Sequence, residues 1–225
     1  MKGYAVRIAF ETPGIEFVST PDNGDRPQEV DSARTSTFLK QQKCQLAINA
    51  GAFGPVSDFE GASQDIQGLH IHNGRLVSPW QMHRDAVVID KKNAARIIRE
   101  SPDDLSDIQT AVSGFQVLLW EGEVLRGGDD LHPRTALGLS EDGKTMYWLV
   151  IDGRQPGYSE GAKTRETAQI LKDLGAYNGI NLDGGGSSTL AIEEKEGRVK
   201  LINRPVHRGI PGLERPSASH LGVRA

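Results

Sequence analysis

A single cysteine, Cys44, is all the chain carries, which excludes an intramolecular disulfide and a zinc site built from several thiolates. It sits in the apolar-flanked run Cys44-Gln45-Leu46-Ala47-Ile48, which reads as a buried thiol and not a reactive one. Positive charge is not in excess: the formal net charge is -4, and no basic block stands out. Nucleic acid is therefore not an expected partner, because binding a phosphate backbone needs a cationic face. No stretch approaches the roughly 18 apolar residues of a membrane helix, so no membrane span is expected. The start, Met1-Lys2-Gly3-Tyr4, lacks the apolar core of a signal peptide. Internal repeats and low-complexity linkers are missing as well. With 37% hydrophobic and 25% charged residues among 225, the chain fits one domain over 1–225 with an ordinary core.

Glycine, by contrast, is abundant, and three stand together in Asn181-Leu182-Asp183-Gly184-Gly185-Gly186-Ser187-Ser188-Thr189. Three successive glycines cost conformational entropy, so they mark backbone that must turn sharply or lie close to something. The hydroxyls and bare amides around them suit an anion, as glycine-rich nests do. Apolar flanks, Ile180 to Leu182 and Leu190 to Ile192, argue against a plain flexible linker.

Short strand signals recur with turn dipeptides between them. Leu69-His70-Ile71-His72, Asn73-Gly74 and Arg75-Leu76-Val77 read as a hairpin, since Asn-Gly suits the positive φ angles of a type I′ turn. Val117 to Trp120 with Glu121-Gly122, and Ala136 to Leu139 with Asp142-Gly143, repeat the pattern. Met146 to Ile151 is continuously apolar, as expected of a strand covered on both faces. Helices are few. One is expected within Ser32 to Lys43, capped by Asp31 or Ser32, and a clearer one over Thr164 to Leu174, capped by Thr164 and stopped by Gly175. Strand, helix and the strand Ile180 to Leu182 then form a βαβ-like unit. If the two strands run parallel in one sheet, Asp152 and Asp183 emerge on one rim.

Four polar loops follow apolar strands: Asn49-Ala50-Gly51-Ala52-Phe53, Arg134-Thr135, Asp152-Gly153-Arg154, and Asp183 with its glycines. Two arginines beside two carboxylates suit an anionic substrate that undergoes acid/base or nucleophilic chemistry. His70 and His72 have a spacing that can bind zinc, but no third ligand is indicated, and a solvent-facing hairpin is the simpler account. Of the other histidines, His132 precedes Arg134 and can reach the same pocket. The sequence establishes no metal. Phosphate chemistry is compatible with a divalent cation such as Ca2+, and Asp129-Asp130 or Asp103-Asp104 are acid pairs that would suit one. Trp80, Trp120 and Trp148 can stack on a sugar, although Trp120 and Trp148 fall inside strands and read as core.

Taken together, Leu46 to Phe53, Gln67-Gly68-Leu69, Val112-Ser113-Gly114, Arg134 to Gly138, Val150 to Arg154, Leu174 to Ala176, Asn181 to Ser188, Asn203-Arg204-Pro205 and the tail Arg215 to Gly222 resemble the phosphodiester glycosidase family. The resemblance extends over residues 46–223, and the Asp183 block is its most specific part. It implies an α+β (mixed α/β) fold with a bent mixed sheet, several hairpins and few helices. It also implies hydrolysis of a sugar-1-phosphodiester at the anomeric C1–O bond, as in removal of N-acetylglucosamine from a phosphodiester, and an extracytoplasmic setting. Where the family often has Gly-Gly-Phe-Phe after the asparagine, this chain has Ala50-Gly51-Ala52-Phe53, which alters the lining of the loop.

Within that reaction Arg134 and Arg154 are expected to neutralise the departing phosphate. Asp183 is the first candidate for nucleophile or base, Asp152 the second, and Glu60 in the loop Ser57 to Glu60 the third. Asn49 and Ser187, with Gly184, Gly185, Gly186 and Ser188, are expected to bind substrate. Two other functions stay open: a non-catalytic module binding phosphorylated glycans, and a phosphodiesterase that breaks P–O.

Overall fold

In the computed structural model, which describes residues 1–125 and 127–225, strands hold 42% of the chain and helix 10%, two α-helices and two short 3-10 turns together. The molecule is thus predominantly β, and the α+β description fits only loosely. Every strand pairing among the described residues is antiparallel, so the expected mixed sheet does not form. Three principal sheets share the structure, one of six strands and two of five. The six-stranded sheet runs in the order Lys2–Ala9, Thr145–Asp152, Arg134–Leu139, Asn178–Asn181, Gln116–Trp120, Glu123–Val124.

The continuously apolar strand explains how the layers meet. All of Thr145–Asp152 is buried, because its two faces serve different cores. Met146, Trp148 and Val150 join a cluster with Ile48 and Leu221 of one five-stranded sheet and Val87 and Val112 of the other. Tyr147, Leu149 and Ile151 face the second helix, α2 (Thr164–Asp173), through Leu171.

Turn chemistry falls where the sequence places it. Asn73 and Gly74 take φ of 49° and 76°, and Glu121 and Gly122 take 50° and 76°. The helix ends at Gly175, whose φ is 105°. Its start differs from expectation: Lys163 is the N-cap, and Thr164 is the first helical residue, donating its hydroxyl to the Gly128 carbonyl at 3.0 Å. The first helix, α1 (Thr35–Gln41), starts after Arg34, with neither Asp31 nor Ser32 capping it. The distant Glu214 does so instead, accepting the Ser36 N–H at 3.0 Å.

The arrangement that matters for function is the rim. Arg134–Leu139 lies between Thr145–Asp152 and Asn178–Asn181 and is antiparallel to both. The flanking strands therefore run parallel to each other, with a third strand inserted into the expected βαβ-like unit. Their carboxyl ends bring Asp152 and Asp183 to the same edge of the sheet, with Arg134 between them. Beyond Asn181 on that rim comes Gln116, its register partner on the next strand.

Candidate active site

Asp183 is set by its backbone before its side chain is considered. Its N–H donates to the Ala50 carbonyl at 2.7 Å, and its carbonyl accepts from Asn49 Nδ2 at 2.6 Å. The carboxylate, 14% exposed, lines a cleft of about 410 Å3 together with His132, Arg134, Arg154, Asn181 and Arg215. Arg215 Nη2 donates to Asp183 Oδ2 at 2.6 Å, and Arg215 Nε donates to Ser187 Oγ at 3.0 Å. Burial pushes the Asp183 carboxyl up from the usual carboxylate range, with Arg215 and Ser187 pulling the other way.

The three glycines earn their place by close approach. A Cβ on Gly184 would stand 2.6 Å from the Pro133 carbonyl oxygen. Gly185 has φ of 62°, and its Cβ would meet Arg154 Nη1 at 2.9 Å. Gly186 lies against His207 and Arg215. The loop is not the open nest that the sequence suggests. The amides of Gly185, Ser187 and Ser188 donate to the carbonyls of Pro133, Gly184 and Gly185. Ser187 is buried, with its hydroxyl taken up by Arg215 and Ser217, and Ser188 is buried without reaching the cleft. What the glycines make possible is the approach of Arg154 to the loop.

Arg134 and Arg154 both line the cleft. Arg134 is held by donating Nε to the Ala162 carbonyl at 2.9 Å and Nη2 to the Asp130 carbonyl at 2.8 Å. Its remaining N–H groups are free of these contacts. Arg154 takes φ of 55°, an uncommon value for a residue with a side chain. Its Nη2 donates to His132 Nδ1 at 3.2 Å, which fixes that nitrogen as the unprotonated one. Burial, and then Arg154 and Arg134, hold the His132 imidazole below its usual pKa. Asn181 is buried in the cleft wall, and its Oδ1 finds no partner among the described residues.

Three further sequence candidates stand outside the cleft, as Gly186, Ser187 and Ser188 do. Asp152 reaches the rim, but its carboxylate is turned under it. Oδ1 accepts from Asn203 Nδ2 at 2.9 Å and from the Arg204 N–H at 3.0 Å, and Oδ2 accepts from Tyr158 at 3.2 Å. Burial raises its carboxyl and these donors oppose the rise. Glu60 accepts the Arg34 N–H at 2.8 Å near the start of α1 and does not line the cleft. Asn49 is wholly buried, and its amide is spent within the protein: Oδ1 accepts from Thr135 Oγ1 at 2.7 Å and from the Thr189 N–H at 3.1 Å. Asn49 thus shapes the site from behind.

Sequence reasoning missed Arg215 and Asn181. Arg215 opens the tail that resembles the family, but it lies 32 residues beyond Asp183 and nothing in the sequence ties it to that carboxylate. Asn181, two residues before Asp183 in an alternating strand, carried a signal in its spacing. His70 and His72 are corrected too. His70 is buried and bonds the Thr20 carbonyl, while His72 is half-buried and bonds the Ser19 carbonyl, so the pair does not share a solvent-facing surface. Among the described residues no three His, Cys, Asp or Glu side chains group as metal ligands. Among the described residues no helix is long and apolar enough to cross a membrane.

Fold and cleft together define a β-rich protein with an arginine-walled site around one buried carboxylate. The chain belongs to the phosphodiester glycosidase family, whose model matches residues 42–224. It is 26% identical over 175 residues to the SPbeta prophage-derived uncharacterized protein YomE of Bacillus subtilis (strain 168), a match covering 71% of this chain. It spans only 26% of that relative. Among solved structures it shares its fold with the catalytic domain of zebrafish N-acetylglucosamine-1-phosphodiester alpha-N-acetylglucosaminidase, auto-inhibited by its pro-peptide. That likeness has a TM-score of 0.73 at 19% identity and covers 100% of this chain and 83% of that one. A Burkholderia pseudomallei K96243 protein, provisionally named as exported, gives a TM-score of 0.70 at 16% identity, over 98% of this chain and 73% of that one.

Proposed function

We propose that the chain hydrolyses the anomeric C1–O bond of a sugar-1-phosphodiester, releasing the sugar and a phosphomonoester. One observation carries this reading: a single, largely buried carboxylate, Asp183, shares its cleft with Arg134, Arg154 and Arg215. Arg134 and Arg154 hold the phosphate oxygens through charge-assisted bonds. Asp183 faces the anomeric carbon and stabilises the oxocarbenium-like centre as the C1–O bond breaks; water then bonds to C1, and Asp183 takes the proton it loses and returns it to solvent. The bond's electron pair leaves with the phosphomonoester, whose second pKa is about 6, so departure needs no protein acid. One carboxylate in the cleft therefore suffices. Arg215 holds that carboxylate in place, and Asp152, through Asn203 and Arg204, braces the loop that carries Arg154. Asn181 offers its unpartnered amide oxygen to a sugar hydroxyl. Family membership and the likeness to the provisionally exported Burkholderia protein support an extracytoplasmic setting.

Hydrolysis in heavy-oxygen water tests the reading. Label in the sugar is the expected result, with Asp183→Asn as the inactive control. Label in the phosphate would overturn it in favour of P–O cleavage. Binding without turnover across a panel of sugar-1-phosphodiesters would make the chain a phosphoglycan-binding module.

A further inference from the structure

Beside the cleft lies a second cavity, about 850 Å3 in volume, lined by Trp80, Met82, His83, Asp85, Arg99 and Trp120, among others. Trp120, half-buried and packed against the main core as its strand position suggests, also presents part of its ring to this cavity. Two features connect the cavities. Phe115, which lines the cleft, carries the Arg84 guanidinium over its ring at 4.7 Å, and the residues on either side of Arg84 line the second cavity. The loop is also tied to this strand: Asp85 accepts the Gly114 N–H on its carbonyl at 2.7 Å and the Val117 N–H on Oδ2 at 2.7 Å. From Gln116 in the cleft wall to Trp120 in the cavity is four residues of strand, about 13 Å, roughly the reach of a second pyranose ring.

Order along the rim decides which part of a substrate would enter. Arg154 and Arg134 come from the two strands on one side of Asn178–Asn181, the strand that leads to Asp183, while Gln116 and Phe115 come from the strand on the other side. With phosphate on the arginines and C1 at Asp183, the sugar extends towards Gln116 and away from the phosphate. The second cavity then lies beyond the sugar, on the side opposite the leaving group. Its chemistry suits a further sugar: indole faces match the C–H face of a pyranose, and Arg99, 5.2 Å over Trp120, brings donors for hydroxyls, with Glu100 beside it as an acceptor.

We propose that this cavity is a glycone subsite: the sugar released is the anomerically phosphorylated end of a disaccharide or longer glycan, whose next ring is held by Trp80, Trp120 and Arg99. The placement rests on the C1–O reading, which fixes the direction of the sugar. The test compares methyl phosphodiesters of N-acetylglucosamine and chitobiose 1-phosphate, and of glucose and cellobiose 1-phosphate. The expected result is a kcat/KM about tenfold or more higher for the disaccharide of at least one pair, with that ratio collapsing towards one in Trp80→Ala and Arg99→Ala and recovering in Trp80→Phe. Equal rates for both members of each pair, or a ratio that survives both alanine variants, would overturn the proposal. Should no diester be hydrolysed, the C1–O reading fails, and tryptophan fluorescence still decides the subsite. Chitobiose or cellobiose 1-phosphate should quench the wild-type signal and not that of Trp80→Ala, with the wholly buried Trp148 as an unresponsive background. No quench in the wild type would end the proposal.

Discussion

Replacing Arg215 by Met removes the cation bonded to Asp183 while keeping much of the side chain's bulk. The two charges meet at 2.6 Å, with the side chains only 18% and 14% exposed. At a charge separation of about 4 Å and an effective dielectric near 20, such a pair is worth about 4 kcal/mol, and breaking a buried pair on one side typically costs about 3–5 kcal/mol. Residual exposure places this one towards the lower end. The buried carboxylate escapes most of that cost by taking up a proton. Burial already raises the Asp183 carboxyl, and the largest opposing influence is Arg215, so its loss sends the carboxyl higher still. A group that must be ionised to act then switches off at higher pH. The acid limb of the kcat/KM profile should move upward in Arg215→Met, with a loss of tenfold or more at neutral pH that narrows as pH rises. Arg215→Lys should return the limb most of the way, since it restores the charge. A large loss of rate with the acid limb unmoved would refute the reasoning, because the titrating group would then not be Asp183.

Further predictions concern residues with other duties. Arg134→Ala should weaken anionic substrates roughly ten- to hundredfold, from the loss of about 1.5–3 kcal/mol in a charge-assisted contact, and leave neutral glycosides far less affected in side-by-side kinetics. Asp152→Asn should lower the melting temperature through an amide facing donors, costing about 1–3 kcal/mol, yet keep at least a tenth of the activity at low temperature. A loss above a hundredfold with normal stability would return Asp152 to the chemistry. Acid stability should follow His70 and His220, whose burial lowers them to about 4 and about 3 from 6.5. Their folded values are depressed, so the unfolded chain takes up protons first as pH falls below about 6.5. Each should then cost about 1.4 kcal/mol per pH unit down to its folded value. Thermal melts should be flat above pH 7 and fall steeply below pH 6, with the slope reduced in His220→Gln.

Local chemistry made much of this fold legible. Asn73-Gly74 and Glu121-Gly122 announce their turns because positive φ has few tenants, and the apolar run Met146 to Ile151 announces a strand between two cores. The shared rim of Asp152 and Asp183 follows from strand, helix and strand. What sequence could not supply were partners from afar. Both aspartates follow strands and precede glycine, and only Asn203 and Arg204 determine that one turns inward. Glu214 and not Asp31 or Ser32 caps α1, for the same reason. The insertion of Arg134–Leu139 between two parallel neighbours depends on pairing that no local pattern encodes.

Asn49 gives these observations a genetic consequence. It holds the carbonyl of Asp183, the hydroxyl of Thr135 and the amide of Thr189 at once, and it never sees the cleft. Under random mutagenesis with selection for activity, that position would tolerate almost nothing, since no other side chain offers the same donor and acceptor in the same space. Gln116, which lines the cleft, has no comparable internal obligations and can drift as substrates change. Intolerance to substitution would then rank a hidden bracket above the residues that choose the sugar. A lineage acquiring a new substrate would leave its record in the permissive positions.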